Sequence, residues 1–244
     1  MLGKLLIALL IVGFVTAGPV ASNQEVVLAG NTTCKTNPPV TPCVLAFFAN
    51  FGFAGQNGGY PPNTTTFGIA LDQYLLKNDI AGWNNLKTWM TTFISCAGGQ
   101  ANFDACLDWQ VLMQLCYLPK DAALYYEISF RVLEFETTTP AFDVITHNWF
   151  CIKGVEMQEG PIIKQCLQHF TDQQHNNPNM TCQNFGEYLN CIERPYVLHC
   201  GRDVGAVSCA AEKIEYAIIY PDCADHVALQ CNGPSAFKKY PRLH

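Results

Sequence analysis

The chain has 244 residues and a formal net charge of −6, and only 14% of its side chains are charged, low against the usual quarter. An acidic chain without basic runs sets aside nucleic acid and anionic membrane as partners. About 225 residues beyond the leader described next are enough for one large domain or two small ones.

Residues 1–17 carry a lone Lys4, an apolar run from Leu5 to Val15 and small residues after it. This is the pattern of a secretory signal peptide, with Ala17 or Ala21 as the last residue removed. No later run is apolar enough for a membrane span. Loss of Lys4 with the leader takes the charge from −6 to −7. All thirteen cysteines follow: Cys34, Cys43, Cys96, Cys106, Cys116, Cys151, Cys166, Cys182, Cys191, Cys200, Cys209, Cys223 and Cys231. In an oxidising compartment such a density predicts a disulfide framework, and the odd cysteine is a buried free thiol or a link to a second chain. Sequons at Asn31, Asn63 and Asn179 fit a secreted glycoprotein.

Residues 18–65 form an irregular arm, because Pro38, Pro39 and Pro42 and the Gly55–Pro62 stretch oppose regular structure. Within it, Val44, Leu45, Phe47, Phe48 and Phe51 read as a short docked helix, and a local Cys34–Cys43 bridge is conceivable. From Thr66, which can cap it, a helical stripe runs through Phe67, Leu71 and Leu75. Asn78 or Asp79 caps a second stripe, Ile80 to Phe93, that ends at Cys96 before Gly98-Gly99. A third helix is expected from Phe103 to Tyr117 and a fourth from Asp121 to Glu136. A fifth opens at Pro140 and runs toward Cys151. Gly160-Pro161 is read as a break before Ile163–Phe170, and 172–179 as a polar loop.

The stretch from Cys182 to Cys231 reads as a hub of helical pieces. One is expected from Cys182 to Glu193, a second from Pro195 to Gly201, and a third capped by Asp203 and ended by Pro221. Cys182, Cys191, Cys200 and Cys209 recur every nine residues. Nine residues of continuous helix rise about 13.5 Å and end half a turn out of phase, whereas bridged Cα atoms lie roughly 4.4–6.8 Å apart. Successive hub cysteines on one unbroken helix therefore send their sulfurs elsewhere. Cys106 and Cys116, about 15 Å apart on one helix, must also find separate partners.

No nucleophile elbow, zincin helix, phosphate loop or dinucleotide fingerprint is present. No two of the six histidines share the i, i+4 spacing that puts two imidazoles on one helix face. Cys200 beside His199 is read as a bridged cysteine, since adjacent helical side chains diverge. Trp83 and Trp89 are read as core. Glu134 and Glu136 flank Phe135 and are read as a solvated face.

The run YLNCIERPYVLHCGRDVGAVSC followed by YPDC, together with Phe142–Glu156 and Cys166–Phe170, resembles a secreted nematode cysteine-rich family, domain of unknown function nineteen, over about residues 96–231. The resemblance implies secretion, helices and disulfides, and supplies no activity and no catalytic residues. The nematode eggshell chondroitin-proteoglycan cores look related, but they need Ser-Gly attachment sites and this chain has no Ser-Gly dipeptide.

The fold expected is all-α: a disulfide-linked helical bundle over 66–231, with an irregular arm (18–65) before it and a tail (232–244) after it. The function expected is non-catalytic binding or structure outside the cell, with an extracellular protein or surface as partner and no metal or cofactor. The alternative is a carrier that holds an apolar small molecule or lipid between aromatic-lined helices.

Overall fold

Apolar stripes at helical spacing produce eight α-helices in the computed structural model, which describes Cys34, residues 40–53 and 61–223, and Cys231. They are α1 (Val40–Ala49), α2 (Thr64–Cys96), α3 (Gln100–Cys106), α4 (Trp109–Leu115), α5 (Lys120–Thr137), α6 (Ala141–Asn176), α7 (Thr181–Cys200) and α8 (Arg202–Ile219). Short 3-10 turns cover Pro178–Met180 and Pro221–Cys223. Among the described residues there is no strand. The fold is all-α and disulfide-linked, as the composition and spacing predict. The leader 1–17, the sequon at Asn31 and the tail 232–244 lie outside the described residues.

The centre of the molecule is α5, not the cysteine hub. Every residue from Tyr125 to Leu133 is buried, and so are Phe135, Glu136 and Thr137. A helix covered on all sides has neighbours all round, and α5 packs on α2, α4, α6 and α8. Tyr126 and Phe130, one turn apart, meet Phe48 at 5.3 and 5.8 Å between ring centroids. That face belongs to an aromatic core built from α1, α2 and α3, in which Phe93 meets Phe47 at 5.4 Å and Phe103 at 5.1 Å. A second aromatic core joins α6, α7 and α8, where Tyr216 stacks on Phe185 at 4.2 Å and meets Phe170 at 5.2 Å. Such pairs add about 0.5–1.5 kcal/mol each beyond burial.

Several boundaries differ from expectation for identifiable reasons. Asn63, not Thr66, caps α2: its Oδ1 accepts from the backbone N–H of Thr65 at 3.0 Å and Thr66 at 3.4 Å. The two expected stripes merge into α2 across a kink at Asp79, whose φ of 49° is left-handed. Trp149 Nε1 (2.9 Å) and Lys153 Nζ (2.8 Å), both on α6, donate to Asp79 Oδ1 and hold that conformation. The single helix expected over Phe103–Tyr117 is two. Asp108 leaves the helical region and caps α4 by accepting from Gln110 N–H at 2.8 Å. Gly201, at φ 93°, both ends α7 and precedes α8, so Asp203 is a first-turn acid and not the cap.

The breaks expected at Pro161 and Pro195 do not occur, for α6 and α7 run through them. The supposed polar loop is mostly helix too, with α6 continuing to Asn176. An interior proline costs a helix about 3 kcal/mol. Here both prolines lie between two cross-links: Cys151–Cys200 and Cys166–Cys191 clamp the antiparallel α6 and α7 on either side of each one.

Candidate functional site

The cysteines show how the elements are joined. Cys34 pairs with Cys106 and Cys43 with Cys96. The conceivable Cys34–Cys43 bridge is therefore absent, because Cys43 faces the end of α2 from α1. In the second half Cys151 pairs with Cys200, Cys166 with Cys191, Cys182 with Cys223 and Cys209 with Cys231. No cysteine on α7 pairs with another on that helix, as the nine-residue spacing requires: Cys191 and Cys200 both reach α6, and Cys182 reaches the turn at Pro221–Cys223. Cys116 is the buried free thiol, and burial pushes it up to about 11, which leaves it unreactive near neutrality. No bridge crosses between the two groups. One set of cross-links spans 34–106 and the other spans 151–231, with α5 between them held by packing.

Of the sequons, Asn63 and Asn179 are exposed. Asn63 spends its Oδ1 on the helix cap, which leaves Nδ2, the atom that carries an N-glycan, pointing away from the capped amides. Trp83 and Trp149 meet at 5.6 Å in the core, and Trp89 packs on Phe51 at 5.3 Å and Tyr74 at 5.0 Å. The aromatic side chains thus contact one another. Large apolar side chains are exposed at Phe150 (65%) and Met157 (69%), seven residues apart on one face of α6, and at Leu198 (70%) on α7.

What the sequence reading missed is a set of acids inside the bundle. Glu136 is not on a solvated face: it is 1% exposed, and Glu212 (0%) and Glu215 (2%) on α8 are as deeply buried. Asp72 on α2, Glu156 on α6 and Glu193 on α7 are buried as well. Tyr188 Oη donates to Glu212 Oε2 at 3.1 Å, and Tyr196 Oη donates to Glu156 Oε1 at 3.4 Å. Glu136 Oε2, Glu156 Oε2, Glu212 Oε1 and Glu215 Oε2 have no protein hydrogen-bond partner, and neither does Ser208 Oγ. Burial pushes Glu136 and Glu215 up to about 8. Burial also lifts Glu156 and Glu212 well above the usual carboxylate range, with the nearby Glu136 adding to both. The buried cation among the described residues is Arg131. It is engaged elsewhere, donating to Asp104 and, at 3.5 Å, to Glu134.

Among the described residues, no three His, Cys, Asp or Glu side chains group as metal ligands, and no helix is long and apolar enough to cross a membrane. His199 Nε2 lies 3.3 Å from Glu159 Oε1 at the surface, and Cys200 beside it is bridged. Compared with models of known protein families, with curated proteins and with solved structures, the chain matches none.

Proposed function

We propose that this is a secreted, glycosylated, disulfide-stabilised helical protein that binds an extracellular protein or surface and catalyses no reaction. The carrying observation is the framework of six bridges that leaves one buried thiol. Cross-links of this density suit a chain that persists outside the cell, at about 2–4 kcal/mol each. The resemblance to the nematode cysteine-rich family agrees with secretion and supplies no activity. Ring-on-ring packing of the aromatic side chains favours binding over the carrier alternative, in which those rings would line a ligand.

Native mass spectrometry of the secreted protein, before and after lipid extraction, tests this reading. A mass equal to polypeptide plus glycans, unchanged by extraction, supports it. A stoichiometric apolar adduct overturns it in favour of the carrier.

A further inference from the structure

The buried acids have a common geometry. On α5, Tyr125, Ser129, Val132 and Glu136 fall at i, i+4, i+7 and i+11, a single face. On α8, Ser208, Glu212 and Glu215 fall at i, i+4 and i+7, also one face. These faces belong to helices in mutual contact, with α6 and α7 also packed on α8. Gly205 brings α7 and α8 together, for a Cβ there would stand 2.3 Å from Val197 Cγ2 and 3.1 Å from Glu193 Cγ. The helices approach too closely for the carboxyls to reach water.

Among the described residues, no lysine, arginine or histidine offsets the charge of Glu136, Glu156, Glu212 or Glu215, and the other ionisable groups around them are as follows. From α2 comes Asp72, and from α5 Tyr125. From α6 comes Glu156, whose neighbour Lys153 is bound to Asp79 at 2.8 Å. From α7 come Tyr188, Glu193 and Tyr196. On α8 are Tyr216 and the half-buried Lys213, and beyond it Asp222 is exposed. The tyrosines are hydroxyl donors held neutral: burial, and next the acids beside them, raise Tyr188, Tyr196 and Tyr216 well above the phenol range. A buried carboxylate without a partner is far costlier than a buried carboxylic acid. Unpartnered oxygens on four acids, with the buried Ser208 hydroxyl on the same face of α8, leave room for hydrogen bonds that only the protonated acids can donate.

We propose that this interior is a proton-binding site: folding takes up protons on Glu136, Glu156, Glu212 and Glu215, and the α5–α8 bundle is a pH-sensitive unit, tightest in acid and looser as the medium turns neutral to alkaline. The sign follows from linkage. The unfolded chain ionises near the ordinary glutamate value of 4.5, whereas folded Glu136 and Glu215 do so at about 8. Between those values the native state holds more protons than the unfolded state, so stability falls as pH rises. Below 4.5 both states are protonated and the stability is fully present. Above about 8 the loss from these two groups is complete. Glu127, pushed up to about 7 by burial against the pull of the Trp109 N–H, adds to the same slope from the far side of α5.

The test is equilibrium unfolding of the secreted, fully oxidised chain between pH 4 and pH 9 at constant ionic strength. Each group contributes up to about a tenfold change in the folding equilibrium per pH unit. Wild type is expected to lose stability continuously from about pH 5 to pH 8. Glu136→Gln and Glu215→Gln are expected to flatten that slope, and to be more stable than wild type at pH 8 but not at pH 4. A flat wild-type profile overturns the proposal, and so do variants that run parallel to wild type. Recovery of the acid-pH stability by calcium or zinc at pH 8 also overturns it, because the acids would then be cation ligands. Infrared spectroscopy of unmodified protein keeps the question answerable if a variant fails to fold. A protonated-carboxyl band at pH 6.5 that vanishes on unfolding supports the proposal, and its absence from the folded protein overturns it.

Discussion

At the scale of single residues, two side chains separate structure from modification. Asn63 caps α2 and is also a sequon asparagine, while Thr65 completes the sequon and gives only its backbone N–H to the cap. Asn63→Ala is expected to cost about 1 kcal/mol, the usual worth of such a cap, and to remove any glycan at this site. Thr65→Ala is expected to remove the glycan and leave the cap. Thermal denaturation beside intact-mass measurement of the two variants checks both effects. Cys116 gives a second contrast. Its thiol should resist a thiol reagent in the native protein and react with one equivalent after denaturation without reductant. Cys116→Ala should leave the oligomeric state on a sizing column unchanged, whereas a link to a second chain would show as loss of a dimer.

At the scale of elements, α7 and α8 meet tightly at Gly205. Gly205→Ala drives a methyl into Val197 and is expected to cost about 1–3 kcal/mol as overpacking. Adding Val197→Ala should return part of that loss, read as the shift in denaturant midpoint. Which parts of these helices were legible in the sequence follows from the range of the signals. The stripes of α2, α5 and α8 and the stop at Gly98-Gly99 are local, and local periodicity finds them. Pro161 and Pro195 mislead because their effect is decided by Cys151–Cys200 and Cys166–Cys191, contacts between residues far apart in the chain. Glu136 misleads in the same way. Glu134 and Glu136 flank Phe135 as an exposed acidic edge would, and the packing of other helices on α5 buries Glu136. The signs available were the face pattern on α8, where Ser208, Glu212 and Glu215 share a side with apolar residues, and the apolar Val132 and Leu133 one turn before Glu136.

For the whole molecule, the pairing divides the chain at α5, which contains no cysteine. Replacing Cys43 and Cys96 by serine is expected to destabilise the α1–α4 end by about 2–5 kcal/mol. Hydrogen exchange would place the lost protection in α1 and the end of α2, with α7 and α8 little changed. The absence of any bridge between the two groups also bears on how the chain matures. Four cysteines can pair in three ways and eight in roughly 100, against on the order of 10,000 for twelve drawn together. Pairing confined within each group keeps the search to these smaller sets. The same feature leaves a weak seam. Residues 138–140, between α5 and α6, are exposed, and one protease nick there would leave a native particle with no covalent link between its halves, which should part into two pieces on a denaturing gel run without reductant.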